Sequence, residues 1–291
     1  MPGWHSYLVS KVSEQAQASD IAVLPEKERA VRKVMCEESG KEFLTLPVPF
    51  GFMFCLAIWR FAMRLRAGLA VIPACAEQYV LTCSFCKQDG SRCGKPLDPG
   101  GNHALCCGCE GNFISRHDYV VRILARALKQ MGCIVKTEQW CPELFDHVKK
   151  MHARMDLVVF VPWLGRTFYL DVSITHCVSG KGTINEGGKL INAQIGKHDR
   201  YRTVIDGVPV TSARLISIAL SSLGGVGPEA RSFFSMVSRG SHEVEEGTGQ
   251  RGCAALVGLC SFAATMQAAG NCMMAYAPPR LHRREAQAAD A

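Results

Sequence analysis

The amino-acid sequence predicts an α/β (α+β) protein whose central block runs helix, three strands, helix, strand. Three observations predict it. Apolar residues recur at helical spacing from Val120 to Met131, residues 153–161 form an apolar run of strand length, and residues 167–175 alternate with a period of two.

The elements can be justified in order. Ser115 can cap a helix carrying Val120, Val121, Leu124, Leu128 and Met131 on one face, and Gly132 ends it. Residues 133–140 (CIVKTEQW) and 153–161 (ARMDLVVFV) are rich in β-branched and aromatic residues, and the second run is apolar on both faces, as a central strand should be. In 167–175 Phe168, Leu170, Val172 and Ile174 point one way, and Thr167, Tyr169, Asp171, Ser173 and Thr175 the other. Residues 189–205 read as a helix despite Gly196, and 213–220 (ARLISIAL) as a further strand.

Around this block, 113–239, the chain divides into an N-terminal segment 1–47 expected to be poorly ordered, a helical linker 48–80, a cysteine-rich module 81–112 and a low-complexity tail 240–291, expected to be disordered. A hydrophobic fraction of 48% over 291 residues suffices for a core, and the net charge of +7 favours an anionic partner. Fifteen cysteines, an odd number, and a start without the basic-then-apolar layout of a secretory signal argue against an extracellular disulfide framework and for a reduced, intracellular compartment. The apolar run 48–59 is too short to span a bilayer and meets Arg60, Arg64 and Arg66, so no membrane partner is expected.

Two acids interrupt apolar strands, where an uncompensated carboxylate is costly. Asp156 lies between Met155 and Leu157, and Asp171 between Leu170 and Val172. Each could sit at a strand end or pair with an arginine such as Arg154. If the two strands form a hairpin around residues 163–166, the carboxylates can instead share a divalent cation, Mg²⁺ or Mn²⁺. Glu138 in the first strand and Asp118 at the helix start can add a ligand directly or through water, although Asp118 also suits a helix N-terminus electrostatically.

The cysteine-rich module offers Cys83, Cys86, His103 and Cys107 in a C-x2-C-x16-H-x3-C spacing suited to Zn²⁺, within a Gly- and Pro-rich loop that cannot build its own core. Cys93, Cys106 and Cys109 compete for these positions, and a set of free thiols is the plainer alternative.

In order, Cys83, the stretch His103–Cys107, Arg116-His117-Asp118, Ala153–Asp156 and Asp171–Ile174 resemble the C-terminal restriction-like endonuclease region of non-LTR retrotransposon (reverse transcriptase) polyproteins. The similarity covers about residues 80 to 230 and includes the phrase Leu223–Ala230. It implies a PD-(D/E)XK restriction-endonuclease-like core (αβββαβ) preceded by a small zinc-binding module, with Cys93 resembling the family's second cysteine. Met155 stands where the pattern has proline and Ser173 where it has lysine. In these relatives the lysine moves to the following helix in a Lys-then-Tyr pattern, which Lys197 and Tyr201 fit; Lys189 is the runner-up.

The resemblance thus implies a Mg²⁺- or Mn²⁺-dependent endonuclease that nicks a DNA target, with Asp156 and Asp171 as ligands, Lys197 at the phosphate, and structural zinc. Arg116 and His117 could contact nucleic acid or buttress the zinc module, and Lys189 and Tyr201 are further candidate contacts. DNA, and element RNA beside it, would be the partners, and the nucleus the location. With no Tyr/Phe-x-Asp-Asp signature the chain could not itself copy RNA. The alternatives are a catalytically inactive nucleic-acid-binding zinc protein, descended from a mobile element, and a protein-interaction module with structural zinc.

Overall fold

A computed structural model of the chain describes residues 56–66, 71, 81–109, 112–177, 185–201, 204–205, 208–209, 214–240, 256–260, 263–265, 267–270 and 275. The N-terminal segment 1–47 lies outside them. The ordered elements are α1 (Leu56–Arg66), α2 (Asn102–Cys106), α3 (Asn112–Gln130), β1 (Ile134–Asp146), β2 (Met151–Val161), β3 (Arg166–Thr175), α4 (Glu186–Arg200), β4 (Val204–Ile205), β5 (Val208–Pro209), β6 (Leu215–Ser221) and α5 (Pro228–Gly240).

The fold is mixed α/β around a four-stranded mixed sheet of order β1-β2-β3-β6. The first three strands form an antiparallel meander, and β6 joins β3 in parallel, which obliges the chain to cross over through α4. Gly165, at φ 59, closes the turn between β2 and β3 after a single 3₁₀ turn at Pro162–Leu164.

Helix α3 begins three residues ahead of the Ser115 cap expected from sequence. Ser115 Oγ instead donates to Asn112 O at 3.2 Å from inside the first turn. Gly132 does end the helix, at φ 90, with Cys133 N–H closing on Leu128 O at 3.0 Å. Helix α4 runs 186–200, not the expected 189–205: it stops at Tyr201, and a short β4–β5 pair follows.

Val120, Leu124 and Leu128 of α3, Leu157, Val159 and Val161 of β2, Phe168, Leu170 and Val172 of β3, and Phe233, Phe234 and Val237 of α5 share one buried core. Leu256, Val257, Cys260, Ala263 and Ala264 are helical and buried in that same core, so the tail expected to be disordered from residue 240 supplies core side chains at these positions. Small alanines let such a helix pack closely without the apolar stripe that would reveal it in sequence. A second cluster joins Ala62 and Leu65 of α1 to Cys83, Phe85, Leu105 and Cys107, so α1 packs on the cysteine-rich module as well as linking to it.

Candidate functional site

Residues 82–96 form a short ribbon held by bridges at Thr82–Pro96 and Cys86–Arg92. Cys83 N–H donates to Lys95 O at 2.8 Å, and Cys93 N–H to Phe85 O at 2.7 Å. This register brings Cys83 and Cys93 together from opposite arms. The following helix α2 is capped by Asp98, whose Oδ1 accepts from His103 N–H at 2.8 Å and Oδ2 from Asn102 N–H at 3.1 Å. It delivers His103 and, one turn on, Cys107.

The ligand atoms of Cys83, Cys93, His103 and Cys107 lie within 4.8 Å of one another. Cys83 Sγ and Cys107 Sγ are 3.8 Å apart, and Cys93 Sγ and His103 Nε2 3.4 Å. Tetrahedral zinc with Zn–S bonds of roughly 2.3 Å places its sulfurs about 3.8 Å apart, so these residues can hold a metal such as zinc. Burial pushes the Cys107 thiol up to about 11 and raises Cys83 as well, so without a cation both favour the neutral thiol.

The expected quartet is corrected at one position. Cys93 takes the place given to Cys86, whose Sγ turns to Ser84 O at 3.9 Å. In an extended ribbon an offset of three residues puts Cys86 on the face opposite Cys83.

The module is bolted to the sheet domain by several groups, of which the sequence suggests only Arg116 as a buttress. Asn112 Nδ2 donates to Ala104 O and Cys107 O at 3.0 and 2.8 Å. Arg116, 2% exposed, donates from Nη1 to Leu105 O at 3.2 Å; it buttresses the module and, so enclosed, is not a phosphate contact. His176 links Asn102 Oδ1 at 3.3 Å to Ser222 Oγ at 2.8 Å. Lys189 donates to His176 O at 2.8 Å, which removes it from the acid site.

At the other site, the last pair of the β2–β3 ladder is Leu157 with Leu170, so Asp156 and Asp171 occupy the next opposed positions. Asp171, 4% exposed, accepts from Lys197 Nζ on one oxygen and from Tyr201 OH on the other at 2.6 Å. Lys197 and Tyr201 reach it together because they are one turn apart on α4. Burial raises the Asp171 carboxyl, Lys197 counteracts it, and neighbouring Asp156 raises it further. Tyr201 is 3% exposed, and burial beside Asp171 raises its hydroxyl, so it holds the acid in place and is too enclosed for the nucleic-acid contact expected of it.

Asp156 Oδ2 accepts from Val172 N–H at 2.6 Å and lies 3.1 Å from His117 Nε2, while His117 Nδ1 lies 3.1 Å from Asp118. The Asp156 hydrogen bond lifts His117 to about 9, against burial, so the imidazole is charged near neutrality and donates to both acids. Asp118 therefore reaches Asp156 only through His117. Glu138 pairs with Arg154 at 2.8 Å, both half-exposed, at a residue held at φ 53. Arg154 accordingly neutralises Glu138, and not Asp156 as the plainer reading of that acid had it.

Asp156 and Asp171 are thus two carboxylates opposed across adjacent strands. Ser173 Oγ, two residues from Asp171 on the same strand face, is buried without a hydrogen-bond partner among the described residues. No third acid joins them: among the described residues, the thiol–imidazole set is the one cluster of three or more metal-ligating groups. No helix of the described residues is long and apolar enough to cross a membrane. Compared with known proteins, the chain matches no family model and no curated protein.

Proposed function

We propose that the chain is a metal-dependent DNA endonuclease with a PD-(D/E)XK-type core and a structural zinc module, related to the restriction-like endonuclease region of non-LTR retrotransposon polyproteins. The observation that carries this reading is the convergence of Lys197 and Tyr201 on Asp171, opposite Asp156. Asp156 and Asp171 would hold Mg²⁺ or Mn²⁺, which when bound polarises a phosphodiester and lowers the pKa of water. Tyr201 orients Asp171, Val172 N–H and His117 orient Asp156, and Lys197 stands in for the positive charge that Ser173 cannot supply. DNA is the partner this implies, with element RNA beside it, and the nucleus the location.

The test is nicking of supercoiled plasmid by purified chain with Mg²⁺ or Mn²⁺ and with chelator. Wild type should nick only with metal, and Asp156→Ala and Asp171→Ala should each abolish it; cleavage at wild-type rate by either variant overturns the assignment.

A second reading is an inactive nucleic-acid-binding zinc protein. It is favoured by Ser173, which fills the family's lysine position and cannot supply positive charge. Salt-sensitive DNA binding with no metal-dependent cleavage selects it.

A further inference from the structure

The β1–β2 hairpin peels away from the rest of the sheet. β3 pairs with β2 only from Leu157 onward although β3 itself continues to Thr175, so residues 139–156 form a two-stranded arm that is unpaired with β3. One side of the arm is accounted for: Cys141, Leu144, Ala153 and Met155 pack with Tyr201 and Leu215. The tip is not. Residues 147–152, His-Val-Lys-Lys-Met-His, are all exposed, with Val148 at 73% and Met151 at 43%.

This turn has none of the glycine, proline or asparagine that makes a turn easy. Lys150 takes a left-handed conformation at φ 54, which costs a side-chain-bearing residue energy and persists only where the surroundings impose it. What imposes it is a buried anchor. Asp146 Oδ1 accepts from Val148 N–H and Lys149 N–H, both at 3.0 Å, and Oδ2 from Arg200 Nε and Nη2 at 3.0 and 2.6 Å. His147 N–H closes on Arg200 O at 2.9 Å, and the Phe145 ring meets both His147 and His152 edge-on. A partly buried ion pair is a poor source of stability, but it fixes geometry.

Here it fixes an exposed tip that mixes apolar and cationic groups. No acid occurs between His147 and Met155, and neither Lys149 nor Lys150 forms an ion pair with a described acid. The anchor also ties the tip to the acid site, because Arg200 is followed by Tyr201, which holds Asp171.

We infer that the tip, residues 147–152, is a DNA-gripping wedge: Lys149 and Lys150 bind phosphates of duplex DNA while Val148 and Met151 press against its groove. A two-stranded ribbon fits the major groove, and exposed apolar side chains at such a tip can wedge against base steps. The inference rests on the nuclease reading for its choice of duplex DNA over another anionic partner.

The test is fluorescence anisotropy of a labelled duplex titrated with the purified 291-residue chain in chelator across a salt series. Three proteins are compared: wild type, Lys149→Ala with Lys150→Ala, and Val148→Ser with Met151→Ser. The lysine pair should weaken binding and flatten the log–log salt dependence by about two, one per lost phosphate contact. The apolar pair should weaken binding with the slope unchanged. Wild-type affinity and slope in the lysine variant, at an unchanged Tm, overturn the inference, as does wild-type protein that binds no duplex. Plasmid nicking separates the two claims. Tip-dependent binding without cleavage sinks the nuclease reading alone, and cleavage with tip-independent binding sinks the wedge alone.

Discussion

Val172 N–H donates to the Asp156 carboxylate at 2.6 Å, where the next cross-strand bond of the β2–β3 ladder would be expected. The sheet thus splays between two strands at the position of the two acids, and a side chain takes over a bond that the neighbouring backbone would have made. Asp156 is thereby fixed by the fold before any ligand arrives.

Lys197 should matter and Lys189 should not. Removing one electrostatic stabiliser of a transition state costs on the order of 10²–10³ in rate. Lys197→Ala is expected to slow plasmid nicking by that order with little change in DNA affinity, and Lys189→Ala, whose amine serves His176 O, to change the rate far less. Single-turnover cleavage beside anisotropy measures both.

The metal ligands can be distinguished by elemental analysis. Wild type should carry about one zinc per chain. Cys93→Ser and His103→Ala are expected to lose it, and Cys86→Ser to retain it, because Cys86 Sγ lies outside the cluster. Loss of metal should also raise protease sensitivity in 81–109, where metal binding and folding are coupled. A Cys86→Ser protein that binds no zinc would restore the C-x2-C quartet.

Gly225 has no room for a side chain. A Cβ there would clash with the Glu186 carboxylate, which is buried and held by a hydrogen bond donated from Ser221 Oγ, itself accepting from Gly225 N–H. Gly225→Ala should cost about 1–3 kcal/mol. Gly187, exposed in the first turn of α4 with open space around it, offers the contrast: Gly187→Ala should stabilise by roughly 0.4–1 kcal/mol. Chemical denaturation of the two variants gives the comparison.

The His198–Glu229 pair joins α4 to α5 at 2.9 Å. The Glu229 hydrogen bond raises His198, with burial opposing. A raised folded-state pKa contributes stability that is fully present below the unfolded value, about 6.5, and is lost as pH rises through the folded one. Thermal melts of wild type and Glu229→Gln should therefore differ most below about pH 6.5 and converge at higher pH; a gap that widens with pH would contradict the assignment.

What the sequence made legible follows from what is local. Period-two alternation located β3, a helical stripe located α3, and a spacing of four residues put Lys197 and Tyr201 on one face. The choice of Cys93 over Cys86 depends on the register of a ribbon, which spacing alone does not encode. For Arg116 the sequence leaves a phosphate contact and a buttress of the zinc module equally open, because the bond to Leu105 O that decides for the buttress is a tertiary contact. The Asp146–Arg200 anchor spans 54 residues and leaves no local trace. Helix α5 does carry local start signals, Pro228 at its first position and Glu229 in its first turn.

The parallel seam between β3 and β6 bears on how the molecule comes into being. The meander β1–β2–β3 relies on near-neighbour contacts, whereas β6 must close a long loop before it is rewarded. Asp156 and Asp171 belong to the early part, and Lys197 and Tyr201 to the crossover that β6 secures. On a ribosome, the two acids would then be assembled before their basic and phenolic partners, and a chain interrupted before Leu215 would contain Lys197 and Tyr201 without the strand that secures their crossover.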